Sequence, residues 1–320
     1  MVEKIILDCD PGHDDAIAIL LAAGNPNIDL LGITTVAGNQ VLEKVTRNAL
    51  AVCAAAGIDV PLAKGASGPL VQKQVIAQEI HGSSGLDGPV LPEPQTDLDP
   101  RHAVDFIIDT VMREPAKTVN LVPVGPLTNI ALAVRKEPAI VERVKSVVLM
   151  GGAYTRGNST PAAEFNIYAD PEAAQIVFEQ EWPVTMVGLD LTHQALATAE
   201  LQDRVRAIDT DLARFVLDIW GFVGQRYREE FGFEAPPIHD AVCVAALIDP
   251  RIIQCSKAFV SVELTGTWTR GMTFTAFNDI PTMTHPFPVL NDDQFRTNVA
   301  TTLDWERFAH LVVDSIRALG

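Results

Sequence analysis

Residues 8–15 read Asp-Cys-Asp-Pro-Gly-His-Asp-Asp, so four carboxylates (Asp8, Asp10, Asp14 and Asp15) fall within eight residues. A helix start explains one such acid, because a carboxylate in the first turn interacts well with the helix dipole. It does not explain four. Like charges this close raise one another's pKa and oppose folding, so something positive belongs among them. Carboxylate oxygens with no nearby Cys or His pair suit a hard ion, Ca²⁺ or Mg²⁺. A DxD at a strand end also fits a Mg²⁺-dependent phosphohydrolase with an aspartyl nucleophile. That pattern has Thr or Val two residues after its second Asp, where this chain has Gly12, and Asp14-Asp15 lies outside it.

Two further groups carry polar chemistry. Asn158, Glu164 and Asn166 follow an apolar strand, in a connection that can converge on Asp10 and Asp14. Amides and carboxylates together hold several hydroxyls, donating to some and accepting from others, as a sugar requires. Ordinary loop chemistry is the alternative, since Asn is common in turns. His239-Asp240 precedes the apolar run 241–248. Alone, Asp240 reads as a helix N-cap and His239 as a surface histidine. The pair gains meaning only if it meets the first cluster.

These side chains need a frame. Residues 4–9 read as a short apolar strand ending in acid, 14–23 as a helix stopped by Gly24-Asn25-Pro26, 29–36 as a β-branched strand and 41–56 as a helix closed by Gly57. A strand over 118–122, a helix over 127–134 and a strand over 144–150 running into Gly151-Gly152 continue the alternation. Asp170-Pro171-Glu172 opens another helix, with Asp170 as its cap, and 184–189 is a further strand. Repeated β-α-β units with apolar strands predict an α/β fold: an open, mostly parallel sheet with helices on both faces. Ligands bind such sheets at the carboxyl ends of the strands, where Asp10 falls. After residue 198 come two or three helices over 199–248, alternating segments at 258–265 and 272–276, and a last helix over 304–318. No linker rich in Gly, Ser or Pro divides the chain, so a single domain over 1–320 is expected. Residues 64–100 are irregular and rich in Gly and Pro, the composition of a lid or binding loop.

The 320 residues carry 41 acidic and 24 basic side chains, a net charge of −17. That excess argues against an extended nucleic-acid surface, which needs clustered Lys and Arg. It leaves room for a small nucleoside or nucleotide. The apolar runs are too short to span a bilayer. The four cysteines, Cys9, Cys53, Cys243 and Cys255, form no CxxC pair. With no signal-peptide pattern ahead of the first strand, a cytoplasmic protein with reduced thiols is expected.

The motifs together resemble the nucleoside hydrolase family, ribohydrolases that cleave the N-glycosidic bond. The likeness rests on DCDPGHDDAIAI at the start, AGNQ at 37–40, LVPVGPLTNIA at 121–131, LMGGAY at 149–154, GNSTPAAEFNIYADPEAA at 157–174 and PIHDA at 237–241. It runs to about residue 250 and more weakly beyond. The resemblance implies a Rossmann-like core and a Ca²⁺ held by Asp10, Asp15, Asp240 and the carbonyl of Val124. By the same likeness Asp10 is the general base toward the attacking water. Asp14 matches a contact to the ribose 2′-hydroxyl, Asn166 to the 3′-hydroxyl, and Asn158 with Glu164 to the 5′-hydroxyl, while Asn39 matches a polar residue at the metal end. His81 sits in the mobile-loop position of many members. His239 is the best candidate for the acid that assists the departing base, since an imidazole titrates near neutrality. Phe165, Tyr227 and Phe231 are candidates for lining the base pocket, with core packing as the alternative. The wording of the motifs is closer to the pyrimidine-leaning bacterial members; a purine-preferring or non-specific enzyme, or a nucleoside-binding protein without turnover, are the alternatives. A homo-oligomer, dimer or tetramer, is also implied.

Overall fold

A computed structural model describes residues 2–277, 290 and 292–320. The chain begins β1 (Glu3–Cys9), α1 (His13–Gly24), β2 (Ile28–Thr35), α2 (Leu42–Ala56) and β3 (Leu62–Lys64), and the irregular stretch that follows holds the short α3 (Gln78–His81). Then come α4 (Ala103–Arg113), β4 (Val119–Pro123), α5 (Thr128–Lys136), α6 (Ile140–Arg143), β5 (Ser146–Met150), α7 (Phe165–Ala169), α8 (Pro171–Phe178) and β6 (Val184–Val187). The helical part is α9 (Leu189–Thr192), α10 (Ala199–Arg206), α11 (Asp211–Phe231) and α12 (Ala241–Ile248). Strands β7 (Ile253–Val262), β8 (Thr273–Phe277) and β9 (Thr297–Leu303) and helix α13 (Trp305–Leu319) complete it.

The strands form one sheet in the order β3-β2-β1-β4-β5-β6-β9-β7-β8. Neighbours from β3 to β9 are parallel, and β7 runs antiparallel to both β9 and β8. Strand pleating explains the two cores. Ile5, Leu7 and Cys9 of β1 join the apolar layer of α1, α2, α11, α12 and α13, whereas Ile6 joins that of α4, α5 and α8. Helix α1 is apolar nearly all round because it lies inside the first layer, under α12 and α13.

The chain walks outward from β1 to β3, then returns to the other side of β1 as β4. At such a reversal the connections leave the strand ends in opposite directions and open a crevice. Asp10 lies just past β1 and Val124 just past β4, so both stand at that crevice.

The expected parallel sheet with helices on both faces is present. Strands β3 and β9, helix α4 and the short helices of the connections were not foreseen. β9 is the consequential omission, because TNVATTL joins the parallel sheet to its antiparallel edge. β7 also starts five residues earlier than the pattern indicated, at Ile253. Among the described residues, no helix is long and apolar enough to cross a membrane.

Candidate active site

The turn after β1 folds the acids onto the start of α1. Asp15 closes that start. Its Oδ1 accepts from the Asp10 amide at 3.0 Å and its Oδ2 from the Gly12 amide at 2.9 Å. Asp10 is fully buried, its Oδ2 accepts from the Asn39 amide at 2.6 Å, and its Oδ1 has no partner among the described residues. Gly38 and Gly125 close on this carboxylate; a Cβ at Gly125 would lie 2.5 Å from Oδ1. Asn39 Nδ2 reaches the Asp10 carbonyl at 3.2 Å and Asp15 Oδ2 at 3.3 Å, so the amide braces both acids.

Asp240 completes the cluster. It stands at the cap position of α12 but makes no capping hydrogen bond, contrary to the expectation for an isolated Asp. Instead, oxygens of Asp14, Asp15 and Asp240 lie within 4.8 Å of one another. Burial and the neighbouring Asp14 and Asp15 hold the Asp240 carboxyl well above the usual range. Burial and Asp15 push Asp14 up to about 8. Asp10 is likewise raised, by burial first and then by Asp15. Acids that resist ionisation together, one of them with an orphaned buried oxygen, are a donor set that fits a hard divalent cation. The tight trio contains Asp14 where the resemblance put Asp10; Asp10 stands behind it, tied to Asp15 through its amide.

Above the acids opens a cleft of about 350 Å³. All the residues expected at the site line it except Asp10 and Asp15, which are buried beneath. Several of them have structural work as well. Glu164 caps α7, accepting from the amides of Asn166 at 2.8 Å, Gly152 at 2.9 Å and Ile167 at 3.1 Å, and burial pushes it up to about 7. Asn166 Nδ2 donates to the carbonyls of Val124 at 2.8 Å and Met150 at 3.1 Å, fixing the amide beside the expected backbone ligand. Asn158 is exposed, and its Oδ1 accepts from the Phe165 amide at 2.9 Å. Loop chemistry and cleft lining therefore coexist at Asn158. Asp170 caps α8, as expected, and also accepts from the Thr128 hydroxyl at 2.7 Å and the Leu70 amide at 2.9 Å, which ties down the root of the irregular stretch.

At the other end stands His239. Its Nδ1 lies 2.6 Å from the Thr192 hydroxyl and its Nε2 3.0 Å from the Tyr227 hydroxyl. Burial pushes the ring down to about 3, with His193 adding to the shift. The imidazole is therefore neutral at pH 7, not poised near neutrality as its type alone suggests. Phe165 and Tyr227 are half-buried in the cleft wall, and Phe231 tilts against Tyr227 at 5.4 Å. The irregular stretch covers the site. His81 is 7% exposed, with its Nδ1 3.0 Å from that of His13, and Val75, Ile76, Ala77, Glu79 and Ile80 supply further wall. Nothing in the sequence marks His13 as a partner for His81, nor Thr192, which lies in an ordinary Leu-Asp-Leu-Thr-His run.

Fold and site define a class: a doubly wound α/β enzyme with clustered buried acids and side-chain amides at its switch-point crevice. The inosine-uridine preferring nucleoside hydrolase family model matches residues 5–310. The chain belongs to that family, whose members cleave the N-glycosidic bond. It is 52% identical over 322 residues to the inosine-uridine preferring nucleoside hydrolase of Crithidia fasciculata, covering 100% of this chain and 99% of that one. It is 44% identical over 314 residues to the pyrimidine-specific ribonucleoside hydrolase RihB of Escherichia coli, covering 98% and 97%. Among solved structures, the purine-preferring ribonucleoside hydrolase from Gardnerella vaginalis aligns at a TM-score of 0.90 with 34% identity, over 99% of both chains.

Proposed function

We propose that the protein hydrolyses ribonucleosides to ribose and free base with a Ca²⁺ held by the acid cluster. The observation that carries this is Asp240, which forgoes its capping bond to complete an acid trio under a cleft lined by Asn39, Asn166 and Glu164. Asp10, Asp15, Asp240 and the Val124 carbonyl would hold the ion, with Asp14 turned to the ribose. The chemistry a bound Ca²⁺ supplies is a lowered pKa for water and a charge that attracts sugar hydroxyls. Asp10 takes the proton of the attacking water, its Oδ1 having no partner among the described residues. Asp14 and Asn166 hold the 2′- and 3′-hydroxyls, and Asn158 and Glu164 the 5′ end. Loss of the base leaves an oxocarbenium-like ribosyl group, which the surrounding carboxylates stabilise. His239, neutral and hydrogen-bonded to Tyr227, assists the departing base through its hydrogen-bonded chain.

The rings of Phe165, Tyr227 and Phe231 grip a base by stacking, which discriminates weakly between purine and pyrimidine. Both uridine and inosine are therefore expected substrates, with the pyrimidine lean of the motifs deciding their rank. All four cysteines are unpaired, in keeping with a cytoplasmic enzyme. A dimer or tetramer is proposed on the family likeness. The test is reducing-sugar release from inosine, adenosine, uridine and cytidine, each with Ca²⁺ and with a chelator. Ribose release that collapses on metal removal supports the proposal. No ribose from any of the four, with calorimetric binding intact, points to a binding protein. Release unaffected by thorough chelation refutes the metal assignment.

A further inference from the structure

Thr192 ends α9, just past the carboxyl end of β6, and is fully buried. A buried hydroxyl in an apolar wall is costly unless it is bonded, and valine would fill the same space. Among the described residues its hydroxyl has one hydrogen-bond partner, Nδ1 of His239, at 2.6 Å. An orphaned buried donor costs more than a spare acceptor lone pair, so the hydroxyl donates and Nδ1 accepts. A neutral imidazole with Nδ1 bare carries its hydrogen on Nε2. That nitrogen faces the Tyr227 hydroxyl at 3.0 Å, and both His239 and Tyr227 line the cleft. Tyr227's own hydrogen is then free to point at the ligand.

We infer that Thr192 is a positioning residue for the hydrolysis: its hydroxyl fixes the ring orientation and tautomer of His239, and through them the donor that Tyr227 offers to the departing base. The inference rests on His239 as the leaving-group residue. In the step it serves, the C1′–N bond breaks with its electron pair on the base. The Tyr227 O–H then gives a hydrogen bond, or its proton, to that nitrogen while Nε2–H steadies the phenolic oxygen. The proton so consumed is balanced by the one Asp10 removes from water.

The test compares Thr192→Ala with Thr192→Ser, which both lose the methyl group but differ in the hydroxyl. Uridine and inosine need help at the leaving base; a nitrophenyl riboside, with its good leaving group, does not. Thr192→Ala should lower kcat on the nucleosides about tenfold, the loss of one well-placed hydrogen bond, with KM and nitrophenyl riboside turnover within about twofold. Thr192→Ser should restore the nucleoside rate. Equal loss on both kinds of substrate, no loss on either, or failure of Ser to restore overturns the inference. Should Thr192→Ala not fold, long-range ¹⁵N–¹H spectra of the wild-type histidines decide: His239 protonated on Nδ1 refutes it and on Nε2 supports it. His239→Ala is run beside them. If it too slows both substrates alike, the leaving-group assignment fails and takes the Thr192 role with it. If it discriminates and Thr192→Ala does not, the Thr192 role alone fails.

Discussion

Replacing Asp240 by Asn should stabilise the metal-free protein while removing its response to Ca²⁺. The oxygens of Asp14, Asp15 and Asp240 lie within 4.8 Å, and at an effective dielectric of about 20 each ionised pair repels by about 3.5 kcal/mol. Protonation limits the cost, because burial and Asp15 push Asp14 up to about 8, so at pH 7.5 the group holds a proton already. The substitution therefore relieves at most about one repulsion, and less to the extent that Asp240, itself raised by burial and its neighbours, holds a proton. At about 2.1 cal/mol/K per residue, 320 residues give an unfolding entropy of about 0.67 kcal/mol/K, so Tm should rise in a chelator, by about 5 °C at most. Wild type at a hundredfold excess of Ca²⁺ over Kd gains about 2.7 kcal/mol, or about 4 °C, and the Asn variant should gain almost nothing. Scanning calorimetry with chelator and with Ca²⁺ measures all four states. A variant less stable than wild type in chelator would mean that the carboxylate holds the fold, as a cap does. A variant that Ca²⁺ still stabilises would refute the ligand assignment.

Asp10→Ala should cut turnover by about a hundredfold or more with circular dichroism unchanged, the usual worth of a general base; retention of a tenth of the wild-type rate sinks the assignment. Gly12→Ala places a Cβ 2.5 Å from His81 Nδ1 and should push His81 and its loop off the cleft, raising KM for uridine several-fold; an unchanged KM would detach His81 from substrate binding. Relative to an Asp8→Asn variant, the chelated wild-type protein should lose stability as pH rises from about 4 to about 7. Asp8, raised by burial from 3.8 to about 7, stays protonated in the fold where the unfolded chain has ionised, so the fold binds more protons in that window. The loss from Asp8 alone approaches about 4 kcal/mol and flattens above its folded pKa. A wild-type-minus-variant difference in urea midpoint that rises with pH across this window would contradict the buried, protonated state.

The strands that carry the site were legible because a doubly covered parallel strand writes itself as a compact β-branched run, as in Ile28–Thr35. β9 was not. Its Thr, Asn and Ala have no period of their own, and it is a strand because β6 and β7 flank it. Helix α4 shows an apolar stripe in Ala103–Arg113, yet it follows directly on the Gly- and Pro-rich stretch that obscures its start. The acid cluster was legible as a charge problem, since four carboxylates in eight residues demand an explanation whatever the fold.

Its completion was not legible from local sequence, because local sequence is where Asp240 looks ordinary. An Asp before an apolar helix is the expected cap, and about 1 kcal/mol favours leaving it one. The fold withholds that bond and sets the carboxylate among two others, at a repulsion several times larger. Such a conflict between local preference and tertiary placement survives when function supplies the compensation. The same reasoning separates Asp240 from Asp170. Asp170 keeps its capping bond to Ala173 and spends its second oxygen on Thr128 and Leu70, so every contact it makes is structural. Two acids at helix starts thus differ in whether they cap their helix, and the one that does not lines the cleft.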